Sequence, residues 1–224
     1  MMQADFTGRS WVQFQDNPLP GVHMDYLAGS LSPLTIVQED VFRKAVDETR
    51  ERARFIALLQ QHYSLTALSG LQPVNDEDAY LAALSVQQWR WLARVCGIVY
   101  WSGALARVVQ TPALRVLDAQ LGDNWWQWVQ AGLSEASDHV PLQEVSAGAN
   151  PPEQWAMRIG HSGSALLRAW QDTLESELAA WVRLKESTNT DQQEWIEPPG
   201  LNAGGPDIVR RVSGILMQQA ALTS

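Results

Sequence analysis

An almost entirely α-helical protein is predicted by three features of the sequence. Apolar residues recur at three- and four-residue spacing along most of the chain. Prolines fall where such runs begin or in the stretches between them, and no alternating run of convincing strand length occurs. The expected architecture is a single irregular helical domain, residues 35–224, built around a central apolar helix, with an extended N-terminal arm at residues 1–34.

In the arm, Pro18, Pro20, Gly21, Gly29 and Pro33 interrupt any long periodicity and leave room for one or two short helices. From Glu39 to about Tyr63 an amphipathic helix is expected. Val41, Phe42, Ala45, Val46, Ala53, Ile56 and Leu59 fall on one side, opposite a charged face that includes Arg43, Lys44, Glu48 and Arg54. Gly70 and Pro73 mark a connection. Asn75 then caps a short helix whose first turn holds Asp76, Glu77 and Asp78, where acids favour the helix dipole. Ser85 followed by Gln88 reads as a capping box opening a helix through Trp101. Around that helix Gln87, Arg90 and Arg94 form one narrow polar stripe. Trp89, Trp91, Leu92, Val95, Cys96, Ile98, Val99 and Tyr100 cover the rest, so this is the expected central element.

Thr111 and Pro112 form an N-cap and first-turn pair. Leu114, Leu117 and Leu121 follow, and Gly122 supplies a left-handed stop. Asp123 caps a helix carrying Trp125, Trp126, Trp128, Val129 and Leu133. Residues 134–150 read as a long polar loop, and Asn150 with Pro151 opens a segment through Ile159. Gly160 and Gly163 are expected to kink or break the path. The pattern then resumes with Leu167, Trp170, Leu174, Leu178 and Trp181 on one stripe. Residues 186–205 read as irregular, and Pro206 begins a last helix containing Ile208, Val209, Val212, Ile215, Leu216 and Ala220.

Composition narrows the function classes. The single cysteine, Cys96, lies in an apolar run, so an intramolecular disulfide and a thiolate metal cluster are both excluded and a reducing compartment is implied. The N-terminus lacks a basic region followed by an apolar core, and the stretch from Val95 to Ala106 is too short to span a bilayer. A cytoplasmic protein is expected. Net charge is −9 with the basic residues scattered, which argues against nucleic acid or anionic lipid as the main partner. Between Arg115 and Arg158 no Lys or Arg occurs, while Asp118, Asp123, Glu135, Asp138, Glu144 and Glu153 are all acidic. Either these are solvated loop and helix faces, or they dock onto a basic partner surface.

No residue constellation in the sequence matches a catalytic or metal-binding pattern. Gly160-His161-Ser162-Gly163-Ser164 is reminiscent of a nucleophile elbow, but the pattern needs Gly where Ser164 stands and a strand where a helix is expected. The four histidines have no metal-ligand spacing, Asp76 and Asp78 lack the distal residues of a calcium loop, and Gly200–Gly205 lacks the Lys-Ser/Thr of a phosphate loop. No catalytic residue, cofactor or metal site is expected. The candidate partner contacts are Trp126, Glu135, Asp138 and Glu144. Helical projection puts Trp125 and Trp128 on the core side and turns Trp126 toward Gln130 and Leu133, where it either packs under the following loop or meets a partner.

The run WLARVCGIVYW, the link SGALARVVQTPALRVLDAQLG and the helix NWWQWVQAGL resemble the middle of the YscK/SctK family. These are cytoplasmic accessory proteins of bacterial type III secretion systems, with an apolar helix, a link and a Leu-rich helix in that order. Arg158-Ile-Gly160, Trp181-Val-Arg183-Leu184, Trp195 in a Pro-rich stretch and the closing DIVRRVSGILMQQ extend the similarity over residues 85–220. The N-terminal third matches only in its Pro-containing arm, and no functional residue carries over. The resemblance implies a non-enzymatic adaptor of the sorting platform, peripheral to the inner membrane through protein contacts. Its partners would be the cytosolic domain of the inner-membrane ring protein, SctD-like, and the pods of SctQ and SctL, with no direct membrane insertion. A different class, a helical chaperone or effector-binding module that masks a client helix, would instead require an open apolar groove.

Overall fold

The computed structural model describes residues 10–31, 49–122, 124–134, 154–188 and 201–223. Among these the chain is all-α, with eleven α-helices, two short 3-10 helices and no strand. In chain order the first five are α1 (Trp11–Asp16), α2 (Met24–Leu31), α3 (Thr49–Tyr63), α4 (Asp76–Ala83) and α5 (Val86–Tyr100). Next come α6 (Ser102–Leu105), α7 (Thr111–Leu121) and α8 (Trp125–Ser134), then α9 (Trp155–Gln171), α10 (Ser176–Arg183) and α11 (Leu201–Thr223). No helix among the described residues is long and apolar enough to cross a membrane.

The helices form two compact units. One comprises described residues within Phe6–Trp89, Leu174–Gln193 and Met217–Ser224. Local chemistry starts α4 as the sequence predicts. Asn75 Oδ1 accepts from Asp78 N–H at 2.7 Å and caps α4. A capping box that was not anticipated opens α1, where Ser10 and Gln13 bond each other's backbone N–H. At the end of α3, Ser64 takes a φ of 54° and Leu65 N–H reaches back to Gln60 O at 2.9 Å, a left-handed helix stop without glycine. The core joins Phe14, Leu19, Val22 and Leu27 to Leu59, Leu68, Leu71, Trp181 and Leu184. The stretch expected as an irregular arm thus carries two short helices, which bury Phe14 and Leu27 in this core and leave Val12 exposed. Trp181 Nε1 donates to Thr66 O at 2.7 Å, so this core indole has its polar edge satisfied.

The other unit comprises described residues within Arg90–Thr173 and Glu194–Leu216. The helix α5, opened by the expected Ser85/Gln88 box, runs into it. Leu92, Ala93, Val95, Cys96, Ile98, Val99 and Tyr100 are buried there, while Arg90 is exposed and Arg94 half-buried, as the projection requires. Helix α9 crosses α5 with backbone against backbone. A Cβ on Gly163 would fall on the carbonyl oxygen of Ala93, and one on Gly97 would fall on that of Ile159. Each helix therefore presents a glycine to the other's carbonyl, with Ala93 and Ile159 one turn before Gly97 and Gly163 respectively.

That crossing corrects one expectation. Gly160 and Gly163 do not interrupt a helix, because α9 runs unbroken through both; Gly163 serves close approach instead. The break falls at residues 172–175, where Thr173 Oγ1 donates back to Trp170 O at 2.7 Å and closes the turn. The leucine and tryptophan stripe is accordingly shared between α9 and α10. A second correction concerns Pro206, which lies inside α11 rather than opening it, so residues 201–205 are helical and not irregular. Its fixed φ near −65° is helical, and only one backbone bond is forfeited, while Ile208, Val209 and Val212 bury the next turns. A third is small: Gln110 is the N-cap of α7, with Thr111 first and Pro112 second. The expected helix residues 39–48, the loop at 134–150 apart from its first residue, the Asn150 start and the Asp123 cap lie outside the described residues.

Candidate interaction surface

The helix α8 is fixed on one side and open on the other. Before it, Gly122 adopts a φ of 90°, a turn that a side chain would strain, and redirects the chain out of α7. Trp125 Nε1 donates to Asp118 Oδ1 at 2.7 Å, which ties the start of α8 back to α7 and occupies an acid of the expected acidic stretch. Trp125, Trp128 and Val129 are buried, and the Trp128 ring meets Trp91 edge-on at 5.6 Å between centroids. Gly132 lets α8 lie flush on its neighbours, because a Cβ there would sit 2.6 Å from Ser102 Oγ and 2.9 Å from Val99 O.

A stripe flanking that buried face reaches solvent. Trp126 is 41% exposed and Leu133 40%, seven residues apart on one face with Gln130 between them. Trp126 rests edge-on against Trp125 at 5.4 Å and keeps much of its indole in contact with solvent. No residue of α8 is charged, so an ordered partner could cover this stripe without stripping water from an ion. Burying the remaining indole surface is worth about 2 kcal/mol at the usual value per unit area. Of the four expected contact residues the structure places Trp126 on an open face; Glu135, Asp138 and Glu144 lie outside the described residues.

The serine of the Gly160–Ser164 motif is engaged in packing. Ser162 sits inside α9, fully buried, and its Oγ accepts from Trp101 Nε1 at 3.0 Å. Trp101 in turn stacks edge-on with Trp155 at 5.7 Å, so this hydroxyl completes an aromatic cluster. Burial pushes the Cys96 thiol far above its usual range, which keeps it protonated and unreactive. Among the described residues no group of three or more His, Cys, Asp or Glu side chains could hold a metal ion.

Two features escaped sequence reasoning. Lys185 is buried, its Nζ donating to Leu84 O and facing the Phe14 ring at 5.0 Å and the Trp89 ring at 5.9 Å. Asp25 gathers several donors from residues far along the chain. Neither has a local sequence signal, since a lysine after a helix and an acid in a first turn are ordinarily solvated. No protein-family model, curated protein or solved structure matches this chain.

Proposed function

We propose that this protein is a non-enzymatic adaptor of the type III secretion sorting platform, related to the YscK/SctK family. It would link the cytosolic domain of an SctD-like inner-membrane ring protein to the SctQ and SctL pods from the cytoplasmic side. The reading draws on the likeness over residues 85–220, whose apolar helix, link and following helix correspond to α5, α6 with α7, and α8. The observation that carries it is the Trp126–Leu133 stripe, uncharged and partly exposed on a helix otherwise anchored by buried tryptophans. Tryptophan at such a position is the residue type richest in binding energy.

The test is Trp126→Ala measured by biolayer interferometry against the SctD-like cytosolic domain and against SctQ. One of the two partners should bind at least about 30-fold more weakly, the equivalent of a loss of about 2 kcal/mol. Because Trp126 also rests on Trp125, the melting temperature should fall by a few degrees, and binding is compared at a temperature where circular dichroism shows the variant fully folded. Absence of wild-type binding to both partners would contradict the proposal.

A further inference from the structure

The carboxylate of Asp25, in the first turn of α2, gathers the chain that leaves α10. Its Oδ2 accepts from Ser187 Oγ at 2.7 Å, from Thr188 N–H at 3.0 Å and from Thr188 Oγ1 at 3.1 Å, with His23 Nδ1 at 3.2 Å. Two residues earlier, His23 N–H donates to Leu184 O at 2.6 Å. The stretches 23–25 and 184–188 are thus joined side by side, although Asp25 and Ser187 are 162 positions apart. Several donors converging on one oxygen suit a carboxylate anion, and such charge-assisted bonds are about twice as strong as neutral ones. Between the two attachments lies the Lys185–Glu186 peptide, with the Lys185 ammonium buried beside Leu84 O and Phe14.

We propose that Asp25 is a charge-operated clasp: ionised, it holds residues 186–188 on the first turn of α2, and neutral, it releases them. The titratable groups around it are His23 beside its oxygen, Tyr26 on the same helix, Glu186 on the tethered segment and Tyr63 of α3, whose hydroxyl donates to Tyr26 O at 2.9 Å. The Ser187 hydrogen bond, followed by those of Thr188 and the His23 charge, holds the carboxyl below its ordinary 3.8, against the opposing effect of burial. The sign follows from linkage. The clasp contributes fully above 3.8, the unfolded value, and is lost as pH falls through the lower folded value.

The experiment is an NMR titration of the full chain, following the Asp25 side-chain carboxyl carbon and the Thr188 amide proton. Both should move together with one midpoint below 3.8. At neutral pH, Asp25→Asn should speed Thr188 amide exchange and tryptic cleavage after Lys185 by roughly tenfold or more, with the helical circular dichroism unchanged. Should that variant lose its fold, the pair Ser187→Ala and Thr188→Val keeps the carboxylate, and the Asp25 midpoint should rise toward 3.8, since the Thr188 N–H and His23 remain. A Thr188 amide indifferent to the titration overturns the proposal. So does an Asn variant that exchanges and cleaves at the wild-type rate, or a midpoint unmoved by removal of both hydroxyls.

Discussion

Replacing Gly163 by alanine should force apart two helices that now touch backbone to backbone. Helix propensity alone favours the change by about 1 kcal/mol. Against that, the new methyl lands on the Ala93 carbonyl, with the carbonyl carbon at 2.5 Å and Cα at 3.2 Å, where ordinary contact begins at 3.4 Å. None of these atoms is the end of a flexible side chain, so relief requires α5 and α9 to separate by about 1 Å or more, loosening the seam between them. Overpacking of this kind costs about 3 kcal/mol at the upper end of its usual range, leaving a net loss of about 2 kcal/mol. For a chain of this size the melting temperature should fall by roughly 4–8 °C. Gly160→Ala in the same helix is the control, because nothing lies within 4 Å of its added methyl. It should gain up to about 1 kcal/mol and melt slightly higher. Gly97→Ala should behave like Gly163→Ala. The double variant should cost less than the sum, since one separation relieves both clashes. Urea unfolding followed by circular dichroism and tryptophan fluorescence measures all four. A Gly163→Ala variant as stable as Gly160→Ala would refute the crossing.

Other outcomes follow from buried groups. The Tyr80 hydroxyl is buried without a hydrogen-bond partner among the described residues, so Tyr80→Phe should raise stability by about 1 kcal/mol in chemical denaturation. Burial also pushes its phenol up to about 12, so native stability should decline as pH rises from 10 toward that value, and the Phe variant should flatten the decline. Cys96 should resist a thiol-reactive disulfide reagent in the native protein and react on unfolding; fast labelling under native conditions would contradict its burial. Ser162→Ala should leave the Trp101 indole N–H without its acceptor and cost about 1–3 kcal/mol, read from the shift of the urea midpoint.

How much was legible in the sequence depends on the reach of each signal. The α5 helix was readable because nearly its whole circumference is apolar, and Asn75 and the Ser85/Gln88 pair because capping is settled within four residues. Helical geometry alone separates Trp126 from the core-facing Trp125 and Trp128. What stayed hidden depends on a second segment. Gly163 resembles a breaker until α5 is laid against it, and Pro206 resembles a start until the buried residues beyond it hold the helix in register. Lys185 and Asp25 look like surface charges, and only the packing of α1, α2 and α10 gives them partners. The short arm helices were expected, but their weak periodicity gave no sign that Phe14 and Leu27 enter a core.

An adaptor must hold two different proteins at once, which neither an enzyme nor a chaperone masking a single client helix needs to do. The decisive measurement is size-exclusion chromatography with light scattering on the purified chain mixed with the SctD-like cytosolic domain and with SctQ. The account predicts one species containing all three proteins, and its loss when this chain is left out. Two separate binary complexes that compete for the chain, or no complex at all, would contradict it.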